Sequence, residues 1–173
     1  MPGAPFIYYG DEIGMRYVEG LKSVEGGYNR TGSRSPMQWD DSTNAGFSSA
    51  PASDLYIAMD PDKDRPTAKK EMAAPDSLYH EVKKLIRIRQ SHKALQSRGK
   101  ITFVYAEKNA YPLAYIREDG DEKILVIINA AAEAKTFACD AEPKEAIYNF
   151  GAAAEATVSY THLRAHETTL HLV

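Results

Sequence analysis

The chain has 173 residues, enough for one domain or a piece of a larger one. Its 43% hydrophobic and 26% charged residues fit a globular protein with an ordinary hydrated surface, and a net charge of −3 gives no electrostatic case for nucleic acid or an anionic membrane as a partner. Cys139 is the only cysteine, which excludes an internal disulfide and an all-cysteine metal site, and no apolar run nears the roughly 20 residues that span a bilayer.

Pro5 to Gly10, PFIYYG, is a short apolar and aromatic run closed by glycine. It has the length of a strand buried on both faces, as in a parallel α/β sheet. From Asp11 to about Pro75 no period emerges, and Gly, Pro, Ser, Asn and Asp recur. A connection of roughly 60 residues is far beyond the usual length and points to a lid, a binding loop or a small insertion. Within it, NRTGSRSPMQWDDSTNAGF (29–47) carries the only tryptophan, Trp39, beside two arginines, two adjacent aspartates, Pro36 and two glycines. A planar aromatic, guanidinium forks and amides together exceed what a mere connection needs.

DSLYHEVKKLIRIRQSHKAL (76–95) reads as an amphipathic helix, with Leu78, Val82, Leu85 and Ile86 in a stripe that Ile88 and Leu95 extend. Pro75, Asp76 and Ser77 supply the start. Lys83, Lys84, Arg87, Arg89 and Lys93 read as a solvated basic face rather than a nucleic-acid site. After Gly99 the pattern turns to strands: KITFVYAE, YPLAYIRED, EKILVIINA, AKTFACD and EAIYNFG. Asp119-Gly120 between the second and third is a hairpin signal, because glycine accepts positive φ. The end, VSYTHLRAHETTLHLV, breaks this style. His162 and His166 would share a helix face as metal ligands might. The string instead resembles the translation of adapter read-through at the ends of metagenomic gene sequences, so residues 158–173 are expected to be a non-native tail that packs with nothing.

PGAPFIYYGDEIGM is similar to the last barrel strand and following turn of the α-amylase superfamily, glycoside hydrolase family 13. RSPMQWDDSTNAGFS resembles the next loop in its α-glucosidase, oligo-1,6-glucosidase and trehalose synthase branches. The resemblance covers about residues 1 to 150. It implies the last βα unit of a (β/α)8 TIM barrel in residues 1–96, an antiparallel β-sandwich, expected to be incomplete, in 97–157, and an active site on the loops at the strands' C-terminal ends. It also implies that Arg34, in Arg34-Ser35-Pro36-Met37, holds the terminal glucose of the substrate. The alternative is a loop-holding ion pair. Trp39 either stacks on a sugar ring or packs beneath the loop.

No residue here is assigned a catalytic or metal role, and no cofactor is implied. Retaining glycosidases need two carboxyl groups about 5–5.5 Å apart. Asp11 and Glu12, adjacent on leaving a strand, point in different directions and are read as holding the turn with Gly14. Asp60, Asp62, Asp64 and Glu71 occupy calcium-loop spacings, yet Arg65 stands where that loop needs glycine, and Pro61 and Pro66 stiffen it. That stretch reads as a solvated acidic turn. The resemblance places the nucleophilic aspartate, the acid glutamate and a third aspartate on earlier strands, upstream of Met1. The expectation is therefore a C-terminal fragment of a retaining enzyme acting on α-glucosides or maltooligosaccharides, inactive alone. A trehalose synthase or other transferring relative is the alternative, and a non-catalytic carbohydrate-binding or structural β module a third.

Overall fold

The computed structural model describes residues 3–139, 144–151, 155–157, 162–165 and 168–172, beyond 151 by backbone alone. The chain divides into two compact units, residues 6–87 and residues 88–173 with the first five.

Residues 6–87 hold little regular structure. Single 3-10 turns lie at Asp11–Ile13, Thr31–Ser33, Thr43–Gly46 and Ala52–Asp54, followed by a short helix α1 (Ala68–Ala73) and most of α2 (Leu78–Ser91). Thr67 starts α1, its hydroxyl accepting from the amide of Lys70 at 3.3 Å. Here the expected strand is corrected. Residues 5–8 are irregular, Tyr9 and Gly10 form a turn, and Phe6 is 96% exposed. A parallel strand exists only through ladder bonds to neighbours, and no described strand lies beside this run. The stripe on α2 is covered only in part: Leu78, Leu85 and Ile86 are exposed, whereas Ile88 packs against the buried cluster that includes Leu95.

The acidic turn is not wholly solvated. Asp60 is buried and accepts from Arg16 Nε and Nη2 at 3.0 and 2.8 Å and from the Asp62 amide at 2.9 Å. Burial pushes its carboxyl up, but Arg16, the Asp62 amide and the Arg65 charge outweigh that and hold it below the ordinary value. Arg65 donates to the Asp62 carbonyl at 2.9 Å, so the residue that disqualified a calcium loop closes the turn itself.

From residue 88 the chain is mainly antiparallel sheet. Strands β1 (Lys100–Tyr105), β2 (Leu113–Asp119) and β3 (Glu122–Ile128) form a meander. Asp119 pairs with Glu122 across a two-residue loop in which Gly120 has φ 60°. β4 (Lys135–Ala138) and β5 (Glu145–Phe150) follow, then β6 (Glu155–Thr157), β7 (His162–Ala165) and β8 (Thr168–Leu172). One sheet runs β1-β2-β3-β8-β5 and a second β4-β7-β6. The segment expected to pack with nothing thus contributes two strands, β8 lying between β3 and β5. His162 is in a strand, which removes the helical spacing with His166, a residue outside the described ones.

β3 is apolar without alternation because both of its faces are covered. Leu125 and Ile127 pack with Ala114, Phe137 and Cys139, while Ile124 and Val126 pack with Ala94, Leu95, Tyr115 and Tyr148. Arg117, fully buried, donates to the carbonyls of Gln96 and Gly99 at 2.6 and 2.9 Å and so pins the turn before β1. Arg89, expected on a solvated face, instead donates to the carbonyls of Leu95 and Gly3.

Candidate functional site

Asp11 and Glu12 turn back on their own loop. The Asp11 carboxylate accepts from the Tyr8 amide and that of Glu12 from the Gly10 amide, each at 2.9 Å. Gly10 and Gly14 take φ of 90° and 73°, and a Cβ at Gly10 would lie 2.5 Å from the Met15 sulfur. This turn leaves Tyr9 at the wall of a hollow of about 440 Å³, also lined by Glu12, Arg34, Trp39, Phe47 and Tyr56. The Tyr9 hydroxyl donates to the Ser35 carbonyl at 3.0 Å. Burial and the neighbouring Tyr8 push its pKa up, with the Arg34 charge opposing, so it stays protonated at neutral pH.

The tryptophan loop is shaped by its backbone. Asn44, Ala45 and Gly46 are consecutively left-handed, with φ of 49°, 52° and 71°. For alanine that conformation is strained, and it persists because the surroundings over-determine it. Ala45 is buried, and its carbonyl accepts from the amides of Trp39 and Asp40 at 2.8 and 3.1 Å. The Asn44 side chain donates to the carbonyls of Ser48 and Ala50 at 3.0 and 2.8 Å. From the other direction, Ala68 and Lys69 donate their amides to the carbonyls of Gln38 and Trp39 at 2.8 and 2.9 Å.

The backbone of Trp39 is therefore held on two sides while its side chain is not: the residue is 52% exposed. Trp39 thus stands half open at the surface of the loop. Arg34 is also exposed, closing the 3-10 turn at Thr31–Ser33, and its guanidinium makes no hydrogen bond or ion pair among the described residues. The structure thus brings Arg34 and Trp39 to one hollow, with the fork of one and the ring of the other unspent. Sequence reasoning missed Tyr9, Phe47 and Tyr56, though aromatics spaced through a loop rich in breakers were a usable signal. No signal in the sequence pairs Arg16 with Asp60. Among the described residues no group of three or more His, Cys, Asp or Glu side chains could hold a metal ion.

The profile of the α-amylase catalytic domain matches residues 1–98. The chain belongs to the α-amylase family. A glucan 1,6-α-glucosidase of Streptococcus pneumoniae is 30% identical over 182 residues, covering 90% of the chain and 33% of that enzyme. A trehalose synthase of Thermus thermophilus is 32% identical over 143 residues, covering 79% of the chain and 14% of that enzyme. The solved trehalulose synthase of Pseudomonas mesoacidophila MX-45 superposes with a TM-score of 0.80 at 27% identity, over 99% of the chain and 36% of its own. The chain spans about a third or less of these α-amylase-family relatives, and the part matched to the catalytic domain includes the whole tryptophan loop.

Proposed function

We propose that this chain supplies a substrate-holding wall to a retaining α-glucoside-active enzyme of the α-amylase family. The reaction itself falls to an aspartate nucleophile and a glutamic acid outside these residues. In this reading residues 97–157 belong to the β-sandwich domain of that enzyme, and the isolated chain is inactive. The observation that carries the reading is the exposed Arg34 guanidinium, without a hydrogen bond or ion pair among the described residues, in the same hollow as the exposed Trp39. A guanidinium fork donates to two adjacent hydroxyls of a terminal glucose while an aromatic face covers the ring's C–H side.

Hydrolysis is the first reading of the parent enzyme. The similarity to a trehalose synthase and a trehalulose synthase favours isomerisation or transfer as the second, since both outcomes begin from the same glucosyl intermediate. A purely carbohydrate-binding or structural module is the third. The test uses an enzyme rebuilt by joining this chain to an upstream barrel. Arg34→Lys keeps the charge and loses the fork, so kcat/KM should fall by about 10- to 100-fold, more for maltose than for long maltodextrins. Equal losses at every chain length together with a lower Tm would make Arg34 a loop brace. Release of glucose against formation of a rearranged disaccharide separates the first two readings.

A further inference from the structure

Trp39 borders a second hollow, of about 510 Å³, which it shares with Asp40, Lys69, Met72 and Ala73. We propose that this hollow is a second pyranose site, with Trp39 as a wall common to both. The inference rests on the sugar-binding reading of the first hollow. A pyranose presents a flat apolar C–H face and a rim of hydroxyls, and so needs an exposed apolar surface with a donor and an acceptor at its edge. Trp39 and Met72, 52% and 56% exposed, supply the surface. Lys69, also exposed, supplies the donor.

Asp40 supplies the acceptor in a fixed position, since the amide and hydroxyl of Ser42 both donate to its Oδ1. Those two bonds, with the Lys69 charge, keep its carboxyl below the ordinary range and hence ionised. Gly46 allows this approach: a Cβ there would lie 2.9 Å from Asp40 Oδ1. The walls are not free to part, because the amides of Ala68 and Lys69 are bonded to the carbonyls of Gln38 and Trp39. The chain therefore spends backbone hydrogen bonds on fixing this hollow while leaving its apolar side chains uncovered.

The test is a titration of the full chain with maltose, followed through backbone amide resonances. Shifts at Lys69, Met72 and Ala73, as well as at Tyr9, Arg34 and Phe47, are expected. Lys69→Ala and Met72→Ser, both at exposed side chains, should each weaken the first set by about 3- to 10-fold and leave the second set unchanged. Arg34→Ala should do the reverse. If only Tyr9, Arg34 and Phe47 respond, the second site is overturned and the first reading stands. If neither set responds, both fall. An unaltered affinity in Lys69→Ala and Met72→Ser also overturns the proposal.

Discussion

In residues 6–87 the buried side chains are mainly polar, Thr31, Ser35, Gln38, Asp60, Thr67 and Ser77 outnumbering Ile13, Val18, Met37 and Ala45. From residue 88 onward they are mainly apolar, and two clusters meet on the two faces of β3. A scaffold of directed hydrogen bonds can hold its backbone in one shape without burying its aromatic rings, and Trp39, Phe47 and Tyr56 stay exposed on it. A sheet held by apolar contact needs part of its aromatic surface inside, and here Tyr115 and Tyr148 are buried while Phe103 and Phe150 stay exposed. The loop unit therefore keeps Trp39, Phe47 and Tyr56 at its surface on a backbone fixed by hydrogen bonds, whereas the β unit depends on its apolar clusters.

Truncation after Thr157 should have the largest effect, because it removes the strand bonded to both β3 and β5. The melting temperature read by far-ultraviolet circular dichroism should fall by more than any single substitution achieves. An unchanged melt would make residues 158–173 the appended tail that their composition suggests. Next comes Leu125→Ala, in the apolar cluster. At 0% exposure it should cost about 2–5 kcal/mol in urea unfolding of the β unit, and leave the Trp39 emission of the loop unit in place.

Asp60→Ala tests the polar scaffold. It leaves the Asp62 amide without its acceptor and should cost about 1–3 kcal/mol, moderated because Arg16 is half exposed. Trp39 fluorescence should report it while the sheet signal holds. The folded Asp60 carboxyl lies below its ordinary 3.8, so its contribution is complete above that pH and disappears as pH falls through the folded value. The Ala variant should lack that acid-side dependence.

Glu122→Gln should be the smallest effect, about 1 kcal/mol. Glu122 accepts from the Ala94 amide at 2.8 Å and pairs with His92 Nδ1 at 2.7 Å. Burial raises its carboxyl, but the Ala94 amide and His92 bring it below 4.5. The same sign applies: its support is present above that pH and fades in acid. A Gln variant with an unaltered acid midpoint in the β unit would remove this pair from the account.

The pattern of residues was enough for α2, the meander β1 to β3 and the Asp119-Gly120 hairpin, because each rests on local chemistry: helical spacing, β-branched runs, a glycine tolerant of positive φ. Trp39 and Arg34 stood out for the same reason, as groups whose chemistry a loop does not need. Tertiary structure decided the rest. PFIYYG has the composition of a strand, but a strand is made by its neighbours, and none is described there. The burial of Asp60 by Arg16, 44 residues away, and the exposure of Trp39 in two hollows depend on which backbone groups meet across the loop. Side-chain type limits what a residue can bind. Whether it remains free to do so is settled by long-range hydrogen bonds that no local pattern encodes.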